Sequence, residues 1–153
     1  FTVFILQGVL MWLVSLPVQL GQISQGPDIG VLGIVGIVFF AIGLFFETVG
    51  DIQLAQFKAN TANAGKVMQT GLWKYTRHPN YFGDACVWWG LALIAAEAEI
   101  GVVGIVGAVV MSILLRKVSG VTLLEKSLKK RKEGYNEYVA RTSAFIPRPP
   151  KKI

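Results

Sequence analysis

The sequence predicts an all-α integral membrane helical bundle, with about four transmembrane helices and a C-terminal amphipathic helix. Three observations carry that expectation. Of the 153 residues, 53% are hydrophobic and only 16% are charged. The apolar residues gather into runs at 1–21, 29–50, 79–96 and 100–115, each near the roughly 20 residues that cross hydrocarbon. The charge is also segregated. Residues 1–46 hold one ionisable side chain, Asp28, while all 15 Lys and Arg residues lie between Lys58 and Lys152. A net charge of +6 on segments beside apolar spans points to phosphate-bearing cofactors and anionic lipid headgroups, not to nucleic acid. One cysteine, Cys86, and one histidine, His78, exclude an intrachain disulfide and a Cys/His zinc cluster.

The first run, 1–21, is broken by Gln7 and Pro17, and the proline is expected to kink or end the helix. Residues 22–28 have turn chemistry, Gly-Pro followed by Asp. In the second run Gly30, Gly33, Gly36 and Gly43 recur at spacings that let helices approach closely in lipid. This helix should continue past the membrane edge. Glu47, Asp51, Leu54 and Lys58 follow helical spacing and share one face, as a solvated helix end or as one wall of a cofactor pocket.

A loop built from Asn, Gly and Ala (59–69) follows, carrying Lys66. Pro79 suits the first turn of the third span, and His78 before it is held extended. Glu97 and Glu99 make an acidic turn, and Gly101, Gly104 and Gly107 mark the fourth span. The tail, Val121 to Ala140, is amphipathic. Leu123, Leu124, Leu128, Tyr135, Tyr138 and Val139 form one side, and Lys126, Lys129, Lys130, Arg131 and Lys132 form a basic block suited to anionic lipid. Phe145-Ile146-Pro147 and the Pro/Lys terminus read as an extended cap with a frayed end. The basic segments 58–78 and 116–153 belong on the cytoplasmic side by the positive-inside tendency. The chain begins at Phe1 without a basic leader, and we read it as a single membrane domain, 1–153, from the C-terminal part of a longer protein.

The chemistry concentrates between spans two and three, in Gly71-Leu72-Trp73-Lys74-Tyr75-Thr76-Arg77-His78-Pro79-Asn80-Tyr81-Phe82-Gly83-Asp84. Polar backbone beside hydrocarbon is costly unless it lines a cavity or binds a ligand. Asn80 and Asp84 lie one helical turn apart, a donor–acceptor and an acceptor suited to ribose hydroxyls or a carboxamide. Lys58, Lys66, Lys74 and Arg77 offer positive charge for phosphates, and Trp73, Tyr75 and Tyr81 offer rings for stacking. His78 also reads as a helix cap, and Arg77 as a side chain reaching for lipid phosphate. No G-x-G-x-x-G is present. Residue chemistry alone leaves an anionic cofactor and a lipid both open.

This motif resembles the C-terminal domain of membrane steroid 5-alpha-reductases and the bacterial proteins of unassigned function grouped with them. Sterol reductases share the Arg-His-Pro-Asn-Tyr-x-Gly-Asp form, and the tail from Leu124-Glu125-Lys126 through Tyr135 and Tyr138 to Phe145-Ile146-Pro147 is similar too. The resemblance covers roughly residues 30–148. It implies NADPH in a cavity open to the cytosol, with hydride delivered to a conjugated C=C of a lipid-like or steroid-like enone. Asp51, Asn80 and Asp84 would hold the polar edges of the nucleotide, and Lys58, Lys66 and Arg77 its phosphates. His78 and Tyr81 belong to the same site, and Glu125 and Tyr138 would close it from the tail. Glu47 stands where an asparagine is common, and Lys66 where an arginine is.

Isoprenylcysteine and phospholipid methyltransferases carry a related Arg-His-Pro-x-Tyr-x-Gly segment and bind S-adenosylmethionine there. They generally lack the polar groups found here at Asn80 and Asp84, which favours the reductase. A non-catalytic membrane scaffold or lipid-binding module is the third reading. In the steroid reductases the groups that polarise the substrate carbonyl lie on helices upstream of this region. Accordingly, no catalytic residue is assigned within this chain.

Overall fold

The computed structural model describes residues 1–23, 28–118 and 121–152. Residues 24–27 of the turn expected at 22–28 lie outside them, as does the side chain of Leu123. Among the described residues the structure is all-α, with seven helices: α1 (Thr2–Val14), α2 (Leu16–Ile23), α3 (Val31–Ala59), α4 (Pro79–Ala95), α5 (Ile105–Ile113), α6 (Val121–Arg131) and α7 (Tyr135–Arg141). The chain divides into two compact units, residues 1–43 with 85–114 and residues 44–84 with 115–153.

Two helical stretches are long and apolar enough to cross a membrane: Val31–Ala59, and Glu99–Val118, in which α5 is the central part. Helices α1 and α2 make a third if taken as one span bent by 48°. The chain is therefore a multi-pass membrane protein. Large apolar side chains such as Phe4, Trp12, Ile34, Phe39 and Phe45 are exposed, an arrangement that lipid tolerates and water does not.

Three details sharpen the sequence expectation. The kink expected of Pro17 is present: the helix breaks at Ser15 and restarts with Pro17 in the first turn of α2, where a missing N–H costs nothing. The third run forms a helix of 17 residues, at the short limit for a span. The fourth opens as a tight 3₁₀ stretch, Glu99–Gly104, and closes as a wider π-turn, Leu114–Val118.

In the first unit the glycines pack as their spacing predicts. A Cβ on Gly36 would lie 2.7 Å from the Gly90 carbonyl oxygen, and one on Gly90 would lie 2.6 Å from that of Gly36. Backbones of α3 and α4 therefore meet with no room for a methyl group. The Glu97 carboxylate accepts a hydrogen bond from the Gly33 N–H at 2.5 Å, satisfying a first-turn donor of α3 that no residue of α3 reaches. Trp89 donates to Ser112 Oγ at 3.0 Å, and Ser112 donates to the Ala108 carbonyl at 2.8 Å, a polar link of the kind that joins helices in lipid.

In the second unit α3 runs on to Ala59, as the Glu47/Asp51/Lys58 face predicts. The tail is not one helix over 121–140. It breaks into α6 and α7 at Gly134, whose φ of +74° is a left-handed conformation that glycine adopts without Cβ strain. Nor does the end fray over its described length. The Arg148 N–H donates to the Tyr75 carbonyl and the Lys151 N–H to the Arg141 carbonyl, both at 2.9 Å.

Candidate functional site

The site lies in the second unit and begins with a turn. Gly71, at φ +59°, leads into the 3₁₀ stretch Gly71–Lys74. A Cβ there would strike Gln53 Oε1, the oxygen that accepts from the Leu72 N–H at 2.9 Å. Gln53 of α3 thus closes the turn. Trp73, buried, donates from its indole to the Gly50 carbonyl at 3.0 Å, and so fixes the motif against α3.

The tail then runs beside the motif. Thr76, fully buried, donates its hydroxyl to the Phe145 carbonyl at 2.8 Å. Thr76 and Ser143 form a single parallel bridge, and the Arg77 N–H donates to the Ser143 carbonyl at 2.9 Å. Tyr138, buried, donates to the Trp73 carbonyl at 2.5 Å. Burial, with Tyr135 next to it, pushes its hydroxyl well above the ordinary phenol range. It remains a neutral donor.

Arg77, His78 and Glu125 make the charged centre. The Arg77 Nε lies 2.7 Å from Glu125 Oε1. Its Nη1 donates to the carbonyls of Val139, at 3.2 Å, and Thr142, at the end of α7 where a cation is favoured. His78 Nε2 lies 3.1 Å from the same Glu125 oxygen, and the ring stacks on Tyr81 with centroids 5.4 Å apart and planes within 11°. Burial by itself would raise the Glu125 carboxyl. The hydrogen bonds and charges of His78 and Arg77 outweigh it and hold the group at about 2.

A second polar group lies on α3 and α4. Asn80 Nδ2 donates to Asp51 Oδ1 at 3.0 Å, and Asn80 Oδ1 accepts from the Tyr81 N–H at 3.0 Å. Asp51 is exposed, and Asp84, one turn along α4, is half-buried. The structure therefore brings Asp51 to Asn80, and Arg77 and His78 to Glu125. It does not bring Lys58 or Lys66 into either group. Both are exposed, and it is the Lys66 carbonyl that is engaged, by the Lys132 ammonium at 2.5 Å.

Gln53, Thr76 and the carbonyls of Val139 and Thr142 have no place among the sequence-derived site residues. Gln53 had one visible signal, a polar side chain two residues after Asp51 on a helix leaving the membrane. The carbonyls had none, since every residue supplies one.

The family described as "Protein of unknown function (DUF1295)" matches residues 1–142, and the chain belongs to that family. The chain is also similar to the probable O-methyltransferase ustE of Ustilaginoidea virens. They are 43% identical over 58 residues, which is 38% of this chain and 20% of that protein. The chain thus matches about a fifth of the length of that relative. No solved structure matches the chain.

Proposed function

We propose that this member of the DUF1295 family is the cofactor-holding part of a membrane methyltransferase acting on a lipophilic acceptor with S-adenosylmethionine. The observation that carries this reading is the internal commitment of Arg77. Its guanidinium is matched by Glu125 and two tail carbonyls and so is not left for a phosphate, while the paired Asp51 carboxylate and Asn80 amide on α3 and α4 offer a ligand an exposed acidic group. That pair suits ribose hydroxyls and the cationic end of S-adenosylmethionine better than it suits a diphosphate. Tyr81, stacked on His78, offers a ring face for adenine. When bound, the cofactor supplies an electrophilic methyl group on sulfur. The partial identity to a probable O-methyltransferase supports this reading; the activity of a whole protein is part of the proposal.

A second reading, NADPH-dependent reduction of a conjugated C=C, is favoured by one specific observation. Asn80 and Asp84 stand one turn apart on α4, the polar pair on which the resemblance to the steroid reductases turns. Exposed Lys58 and Lys66 would then meet the phosphates.

Both readings share a topology: α4 as a further span, the bent α1–α2 pair as one, and segments 58–78 and 116–153 on the cytoplasmic face. Calorimetric titration of the detergent-purified chain with each cofactor separates the readings. S-adenosylmethionine should bind, and Asp51→Ala or Asn80→Ala should weaken it about tenfold, the loss of one good hydrogen bond. Heat with NADPH alone would replace the first reading by the second. Silence with both cofactors would end the two together.

A further inference from the structure

We propose that the docked end of the chain, away from the Asp51/Asn80 edge in composition and charge, binds the phosphate of an anionic phospholipid headgroup. Two cavities, of about 460 and 270 Å³, share Arg141, Thr142 and Lys151 in their walls. Lys74 and Lys152 line the first and Arg148 the second, and no carboxylate lines either. Arg77 also reaches the second cavity, but Glu125 matches its charge. The other five cations form no ion pair among the described residues. Like charges gathered in this way repel one another, and a phosphate, with oxygens to accept from guanidinium forks and ammonium groups at once, relieves that repulsion.

The cluster is built into the fold, not strung along a loose terminus. Arg141 donates to Gln69 Oε1 at 2.9 Å. The backbone bonds Arg148 N–H to Tyr75 carbonyl and Lys151 N–H to Arg141 carbonyl hold the strap on either side, and Pro147, Pro149 and Pro150 restrict its backbone around them. Fixing the cations before the ligand arrives lowers the ordering cost of binding.

The choice of a lipid rests on chain position. Arg116, near the end of the membrane-length stretch Glu99–Val118, places its guanidinium 5.6 Å from the centre of the Phe145 ring, in the tail segment between Arg141 and Arg148. Basic residues close to a span meet the headgroup layer, where anionic lipid accumulates around them.

Native mass spectrometry of the detergent-solubilised chain tests this with phosphatidylglycerol, phosphatidylcholine and inorganic phosphate. The wild type should retain phosphatidylglycerol about tenfold more than phosphatidylcholine, and the triple variant Lys74→Gln/Lys151→Gln/Lys152→Gln should lose that preference. Lys129→Gln/Lys130→Gln, in the α6 basic block outside both cavities, tests the rival surface: loss of the preference in this variant but not in the triple variant overturns the proposal. The exposed single variant Lys152→Glu should show the same loss of preference, and it replaces the triple variant if that one does not fold. Unchanged retention in the lysine variants, or equal retention of the two lipids, overturns the proposal. Saturation by inorganic phosphate without a preference for phosphatidylglycerol assigns the cavities to a soluble anion and overturns the headgroup reading.

Discussion

The Glu125 carboxylate stands between the Arg77 guanidinium, at 2.7 Å, and the His78 ring nitrogen, at 3.1 Å. Both neighbours favour its ionised form, and the group titrates at about 2 instead of the ordinary 4.5. A folded-state value below the unfolded one means the ionised carboxylate stabilises the fold. That contribution is complete above pH 4.5 and is lost as pH falls toward 2. The melting temperature of the wild type should therefore drop across this window, and Glu125→Gln should flatten the drop. At neutral pH, Glu125→Ala leaves the buried Arg77 without its counter-charge and should cost about 3 kcal/mol, read as a lower midpoint of thermal unfolding in detergent. A midpoint equal to the wild type would deny the pair a structural role. The Arg77-His78 half of this cluster is legible in the sequence as a polar knot before a proline. Its partner Glu125 enters the site in sequence only through the family resemblance, because it lies 48 residues from Arg77 and no local spacing connects them.

At the level of helices, the glycines of the first unit are the clearest case of a readable device. Gly36 and Gly90 lie on different helices, and each removes the Cβ that would strike the carbonyl of the other. Gly90→Ala should lower thermal stability by about 2 kcal/mol, as forced overpacking does. Gly8→Ala, where nothing lies within 4 Å, should be neutral or slightly stabilising through better helix propensity. Equal midpoints for the two variants would remove the close-approach argument. The small-residue spacing in α3 announced such a contact, but not which helix would meet it. The tail shows the opposite case. Its apolar periodicity continues through 121–140, yet Gly134 takes a left-handed φ and splits it. Periodicity reports which side is buried, whereas one permissive backbone position decides whether the helix continues.

For the whole molecule, the proposed four-span topology is open to direct measurement. Cysteine introduced at Lys66 and at Lys130 should react with an impermeant maleimide only from the cytoplasmic side, and cysteine at Glu99 only from the opposite side. Labelling of all three from one side would remove α4 as a span. The sequence by itself determined the membrane class, the helical content, the close-packed glycines and the gathering of polar and charged groups around Arg77 to Asp84. These follow from composition, period and local backbone chemistry, which act over one or two helical turns. Only the tertiary structure decided that Arg77 is matched from within, that Asp51 meets Asn80, and that the basic terminus docks instead of fraying. The pairings that decide the first two, Arg77 with Glu125 and Asn80 with Asp51, join residues 48 and 29 positions apart, and the terminus docks through Arg148 on Tyr75. Hydrogen bonds and ion pairs act over a few ångströms, so their partners exist only once the chain has closed.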